Sequence, residues 1–452
     1  MKKREHNPRA INRRDALAST LVAGVGFWTA ATRSASAQSP NSKLNVAVIG
    51  AGKGSVGGIA NLPAMHAENV VAICDVDEQY AGPAFEAHSQ ARRWTDFRKM
   101  LEQQKDIAAV VVSTPDHLHA PISVMAMRMG KHVYCEKPLA RTIHECRVMA
   151  SAAKEEGVIT QMGNQGTSHG RLLEGVQAIR AGALGTVREV HAWTDRPTWP
   201  QGLQRPTETR TVPPHLAWDL WLGPAPLRPY HPAYHPFVWR GWWDFGTGVL
   251  GDMACHIVNL AYLGLNLEYP IAVDAESSPV NRETGPLWCV MRYDFPARGD
   301  LPPVKLTWYE GVKPEPYANQ PRPPKHLAPG GVLPANGCLI VGDEGSILTQ
   351  NMYCTKWVFL PEERFRDYKI PESDRPVSPG HHQEWIRRCK GEDLQVHSSF
   401  VAASKLTESL LVGNVALRVG KKLKWNGKKM KATNCPEADQ YIRTAYRKGW
   451  SI

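Results

Sequence analysis

From Leu44 onward short apolar runs alternate with stretches of helical spacing, and every run stops at a turn. The runs are LNVAVIG (44–50), NVVAICD (69–75), AAVVVST (108–114), KHVYCE (131–136) and GVITQMG (157–163); the helical stretches are 55–67, 77–88, 96–104, 117–129 and 141–156. Nearly continuous apolar runs suit strands buried on both faces. Strand, helix, strand in this order implies right-handed crossovers and a parallel sheet, whose ligands bind beyond the carboxyl ends of the strands. The candidate site residues are therefore those that follow each run.

The first turn, in NVAVIGAGKGSVGG (45–58), contains Gly-Lys-Gly-Ser and invites a phosphate-clamp reading. That motif needs Gly, four residues, then Gly-Lys-Ser/Thr. The required first glycine would fall on Ala47, inside the strand, and Lys53 is followed by Gly54. A dinucleotide turn fits instead: Gly50 and Gly52 directly follow the strand, Ser55 occupies the third fingerprint position, and Gly54 and Gly57 flank it. Lys53 becomes a turn residue beside a pyrophosphate. Asp75, at the end of the second run, supplies a carboxylate for a ribose diol and would repel a 2′-phosphate, which favours NAD over NADP.

Two later turns reach the same rim. STPDHLHA (113–120) offers Ser113, Thr114, Pro115 and His119, and YCEKPLA (134–140) offers Glu136 and Lys137. The residue before a proline is biased to extended backbone, which aims Lys137. Asn164 and Gln165 follow the fifth run.

Residues 1–37 are set apart. They carry a basic start, Arg13-Arg14, a short apolar run and Ala35-Ser36-Ala37, the pattern of a twin-arginine export signal rather than a membrane span. The expected location is periplasmic or otherwise outside the cytoplasm. Removing this segment takes five of the formal +11 charges. The rest is mildly basic, without a basic stripe or basic–aromatic interleaving, so nucleic acid is not an expected partner. Nine cysteines are scattered without metal-site spacing; disulfides among the later ones stay open.

The order of Gly-x-Gly, Asp75, Thr114-Pro115 with His119, and Glu136-Lys137-Pro138 strongly resembles the Gfo/Idh/MocA oxidoreductases, the glucose–fructose oxidoreductase and inositol dehydrogenase superfamily. GDMACHIVN (251–259) is similar to the family's Asp-x-x-x-His element, and GNVALRVGKKLKWN (413–426) to its exported, twin-arginine members. The resemblance implies an α/β chain: a Rossmann domain (43–165), then a C-terminal α/β domain (166–452) with a large open, mainly antiparallel sheet and a C-terminal segment able to pack back on the first domain. It also implies a homo-oligomer, dimer or tetramer. Carried onto this chain, Lys137 stands near substrate and nicotinamide, His256 is the acid/base, and Asp252, one helical turn earlier, orients the imidazole or touches the substrate. Relatives often have an acid or Asn a few residues after this His; here Asn259 is present and no second acid.

His chemistry suits proton removal from a secondary alcohol near neutral pH, and Lys137 suits the developing oxyanion. Beyond residue 193 the chain becomes rich in Trp, Arg and Asp. Aromatic faces beside charged groups suit a sugar ring, and His191, Arg196, Trp199, Arg240, Trp243 and Asp244 are the substrate-side candidates. His215, His231 and His235 lie in irregular, proline-rich sequence and are set aside as metal ligands. The proline-rich segment 310–337 reads as a functional loop or subunit-contact arm, 338–350 as a hairpin and 396–420 as a long amphipathic helix. Three functions are open: an NAD-dependent oxidoreductase on a sugar, polyol or glycoside hydroxyl with tightly held cofactor, an NAD-dependent glycosidase using transient oxidation and elimination, and a carbohydrate-binding protein without activity.

Overall fold

The computed structural model describes residues 42–311, 323–327, 329–372 and 377–452. Residues 1–37, expected to be an export signal, and much of the proline-rich segment 310–337 lie outside them.

The apolar runs form β1 (Asn45–Ile49), β2 (Asn69–Cys74), β4 (Ala109–Val112), β5 (His132–Glu136) and β6 (Thr160–Gly163). A short β3 (Arg92–Trp94) completes a six-stranded sheet ordered β3-β2-β1-β4-β5-β6, parallel throughout. No apolar run announces β3: Arg92 and Arg93 are exposed, and the strand exists because β2 offers it a free edge. The order reverses between β1 and β4, so the two turns after those strands diverge and open a crevice.

The second sheet has nine strands, ordered β13-β12-β11-β7-β10-β9-β8-β14-β15. They are β7 (Val187–Thr194), β8 (Ala272–Ser277), β9 (Cys289–Phe295), β10 (Val304–Glu310), β11 (Asn336–Gly342), β12 (Ser346–Thr349), β13 (Trp357–Leu360), β14 (Leu423–Asn426) and β15 (Lys431–Ala432). Only β7 and β10 pair in parallel. The sheet is open and mainly antiparallel, and β11–β12 is the expected hairpin.

One core joins the two sheets. The helix Phe400–Val419 packs against the helix Ile143–Glu156 and against β8. The amphipathic reading of this helix is corrected: residues 406–417 are buried on every side. It is long and apolar enough to cross a membrane, but most of it lies inside the fold, as a core helix does. The helix His381–Cys389, which no sequence pattern announced, also packs on the first sheet's side, with Trp385 and Ile386 joining the β1–β4 core. The nine cysteines are free, eight of them buried, so no disulfide forms.

Candidate active site

A cavity follows the crevice from Gly52 and Asp75 to Lys137 and Arg240. At one end the glycines matter because side chains would not fit. A Cβ on Gly57 would lie 1.8 Å from the Gly50 carbonyl oxygen, and one on Gly52 would lie 2.0 Å from the Tyr80 ring. The third tight-approach position is therefore Gly57, not Ser55. Ser55 builds the turn: its Oγ donates to the Gly52 carbonyl (2.7 Å) and accepts from the Gly58 N–H (3.1 Å). The turn leads into a wide π-type turn, Gly57–Asn61. Lys53 is exposed and does not line the cavity; its backbone N–H donates to Tyr80.

Asp75 lines the cavity and accepts from the backbone N–H groups of Ala51 (2.9 Å) and Asp77 (3.0 Å). Burial pushes its carboxyl up to about 6 against those two bonds. Gly50, Gly52, Gly54 and Ser55 line the same end, and Ser113, Thr114, Pro115 and Glu136 continue the wall. A backbone cradle that a Cβ would fill, ending at a half-buried carboxylate, fits an extended dinucleotide.

The opposite wall comes from the Trp-rich segment. Trp221, His235, Phe237 and Trp239 face the cavity, joined by Trp450 from the C-terminal segment, whose ring packs 6.0 Å from Phe97. This wall is tied to the first sheet at Asp77, only 4% exposed, which accepts from His215 Nδ1 (2.9 Å) and His235 Nε2 (2.8 Å). Burial opposes the charge on Asp77, but His235 and the Tyr80 N–H outweigh it and hold the carboxyl below its usual range. The backbone adds two bonds, from Ala217 to Val76 and from Glu78 to His215. Sequence reasoning missed this clamp because Asp77 lies far in sequence from both histidines. His231 instead accepts from the Ala233 N–H within its own turn. Among the described residues no group of His, Cys, Asp and Glu is placed to hold a metal.

At the other end Lys137 Nζ donates to Asp252 Oδ1 (2.6 Å) and to the Asp252 carbonyl (2.7 Å). Arg240 Nη1 stands 3.5 Å from the same carboxylate oxygen. Burial works against a charge on Asp252, but Lys137 and Arg240 outweigh it and hold the carboxyl well below the usual range. Asp252 and His256 stand behind Lys137 and do not line the cavity, and His256 is not oriented by Asp252. A wide π-type turn, Leu250–Ala254, precedes it, and its Nδ1 meets Asn164 Oδ1 at 2.6 Å. Asn164 Nδ2 donates to the Cys255 carbonyl (2.8 Å), which turns its amide oxygen towards the ring. His256 Nδ1 therefore carries the proton and Nε2 the lone pair. Burial, then Lys137, pushes the imidazole well below its ordinary value, so it stays neutral. Asn259 donates to Thr167 Oγ1 and takes no part in this pair.

Beneath the rim runs a buried polar chain. Asn61 Nδ2 donates to Ser113 Oγ (2.8 Å) and Glu136 Oε1 (3.0 Å), and His382 Nε2 pairs with Asn61 Oδ1 (2.9 Å). Gln165 Nε2 reaches Glu136 Oε1 at 3.4 Å. Gln165 and Asn164 thus support rim groups and do not line the cavity. His119 is likewise turned away: its ring nitrogens meet the Pro138 (2.8 Å) and Thr114 (2.9 Å) carbonyls and pin the two rim loops together.

Of the six substrate-side candidates, only Arg240 lines the cavity, its guanidinium 4.4 Å over the Trp239 ring. His191 pairs with Tyr309 and Glu189 on the sheet face shared with Trp193. Arg196 donates to Thr198, Trp199 is buried and donates to Gln201, and Asp244 pairs with Arg228. Trp243 is buried elsewhere, beside Arg141 and Arg418. The tryptophans mostly satisfy one another: Trp218, Trp221, Trp239 and Trp242 form a small core with Tyr234 and Phe245, Trp218 and Trp221 stacking at 4.7 Å.

Residues 44–164 match the oxidoreductase family model with NAD-binding Rossmann fold (Gfo/Idh/MocA), and residues 185–299 match that family's C-terminal alpha/beta domain. Levoglucosan dehydrogenase of Pseudarthrobacter phenanthrenivorans is 26% identical over 204 residues, 44% of this chain and 43% of that protein. A glycosyl hydrolase family 109 protein of Solibacter usitatus is 33% identical over 153 residues, 30% of this chain and 34% of that protein. The chain thus spans less than half the length of these curated relatives. Among solved structures, the WlbA dehydrogenase of Bordetella pertussis, in complex with NADH and UDP-GlcNAcA, superposes with a TM-score of 0.59 at 18% identity, covering 85% of this chain and 99% of that one. With two matched domains in the family's order, over one Rossmann and one open mixed sheet, the chain belongs to the Gfo/Idh/MocA oxidoreductase family.

Proposed function

We propose that this protein is an NAD-dependent oxidoreductase acting on a secondary hydroxyl of a sugar, polyol or glycoside. The observation that carries this reading is a crevice lined by Asp75 at one end and Lys137 at the other, with a buried, neutral, Asn164-oriented His256 near enough to Lys137 to be shifted by its charge, though not itself lining the crevice. Gly50, Gly52 and Gly57 would admit the pyrophosphate, and Asp75 the ribose diol. When bound, the nicotinamide supplies the acceptor for the two electrons of the substrate C–H bond. His256 Nε2 takes the hydroxyl proton, and Lys137 donates a hydrogen bond to the oxygen as negative charge grows on it. Asp252 and Arg240 fix where the ammonium stands. The sugar derivatives named for the relatives support the carbohydrate class.

A second reading, an NAD-dependent glycosidase, is favoured by the likeness to the glycosyl hydrolase family 109 protein. The same His, Lys and nicotinamide would begin that reaction. Mass spectrometry of products from a panel of free sugars and glycosides separates the two: a keto-sugar with one NADH, or a freed aglycone with none. If neither product forms, or if Lys137→Ala and His256→Ala both retain full turnover, the enzymatic reading fails.

The twin-arginine pattern in residues 1–37 supports export of the folded, cofactor-loaded protein to the periplasm or beyond. The cofactor is then held tightly and reoxidised in place, and the clamped wall over the crevice supports slow release. Protein purified without added nucleotide should carry NAD(H); an empty protein that binds NAD only in the millimolar range would remove this part. The expected homo-oligomer, dimer or tetramer, rests on the family resemblance, and light scattering tests it.

A further inference from the structure

A second, small cavity lies outside the crevice, bounded by Arg141 on one loop, Trp243 and Thr247 on another, and Asn414, Arg418 and Tyr441. Its charged groups are both cations, and no carboxylate lines it. Arg141 is only 8% exposed; its Nη1 donates to the Trp243 carbonyl (3.1 Å), but its Nε is sealed from solvent without a partner. The Trp243 indole N–H is sealed and unpartnered in the same way. Among the described residues Arg418 makes no ion pair; its guanidinium is held between the Tyr441 ring (4.1 Å) and the Trp243 ring (5.2 Å). The nearest acids are already engaged: Asp244 pairs with Arg228, and Glu145 accepts from the Thr142 N–H (2.8 Å) and the Tyr446 hydroxyl (2.7 Å).

Unpaired buried donors of this kind are costly, and native structures seldom leave them unmade. Two guanidinium groups and an indole N–H that border one small cavity without an acid favour an acceptor that carries negative charge. The remaining space is that of about one or two water molecules, too little for a phosphate or a sugar. We infer that this cavity is a binding site for a single small monovalent anion of halide size. Burial and the neighbouring Arg141 pull the Arg418 guanidinium down to about 10, still cationic at neutral pH, so the site keeps both positive charges under working conditions. Arg141 follows Lys137 by four residues and Trp243 follows Arg240 by three, so the anion would join the two loops that carry the cations of the crevice.

The test uses the mature protein dialysed into gluconate, an anion too large to enter, and titrated with bromide at constant ionic strength. The expected result is a saturable rise in Tm on the order of 1–2 °C. Trp243→Phe, which keeps the ring and removes the N–H, should weaken the bromide midpoint at least about threefold, and Arg418→Gln should abolish the rise. Wild-type crystals soaked in bromide should show an anomalous peak between Arg141, Trp243 and Arg418, a readout that does not depend on either variant folding. A wild-type protein without that peak, without a halide-specific rise, or with a rise undiminished in both variants would overturn the inference.

Discussion

The two ends of the crevice are built by different means. The glycine end is made of absence: the chain closes on the Gly50 carbonyl and the Tyr80 ring because Gly57 and Gly52 have no side chain, and Asp75 is held by two backbone N–H groups. The Lys137 end is made of side chains from four separate segments, each aimed by a partner from another one: Lys137 by Asp252, His256 by Asn164, Arg240 by Asp252. A local turn tolerates loss of a distant contact but not an added methyl. A convergent cluster tolerates small steric changes but not the loss of one member.

This contrast orders the experiments. The largest effect should come from Lys137→Ala, which leaves Asp252 facing Arg240 alone and removes the donor at the reacting oxygen. Turnover should fall by about 10³-fold or more in steady-state assays while bound cofactor, read by absorbance, is retained. Loss of cofactor together with turnover would mean that the two ends are not separable. Next, Gly57→Ala places a methyl against the Gly50 carbonyl and should do the reverse, costing about 3 kcal/mol of stability by denaturant titration and releasing the cofactor.

Smaller effects probe the aiming partners. The His256 pKa is depressed, so the neutral base persists as pH falls through the ordinary histidine range, and kcat/KM should stay flat there and decline only at lower pH. Asn164→Asp places a carboxylate against Nδ1 and should raise that pKa, moving the acidic limb to higher pH, with turnover lower by about tenfold. An unmoved limb would show that Asn164 does not set the tautomer. The smallest effect belongs to Asp77→Asn, which weakens the clamp to His215 and His235. It should speed cofactor release by roughly threefold in stopped-flow displacement.

Legibility in the sequence followed the same division. Five of the six parallel strands carry their own apolar runs, and the turns after them supply most of the crevice wall. The parallel sheet and the rim positions of Lys137 and Asp75 were therefore readable one segment at a time, whereas the open second sheet came only through the family resemblance. What was not readable needed pairing information: β3 forms on an edge, Asn164 meets His256, and His215 and His235 meet Asp77. Five of the six substrate-side candidates lie off the crevice for a related reason. Trp, Arg and Asp crowded into one segment look like a sugar platform, but rings stack on rings and Asp244 pairs with Arg228, and that leaves only Arg240 facing the crevice.

Residues that line the crevice run from Ile49 to Trp450. Biosynthesis delivers the glycine turn and Asp75 early, but the wall over them is complete only once position 450 has emerged and packed beside Phe97. Firm capture of a nucleotide is then a late event in the life of each new chain. A loaded molecule certifies that both sheets and the returning tail have been assembled, the kind of completeness mark that a quality-control step acting on finished protein can read.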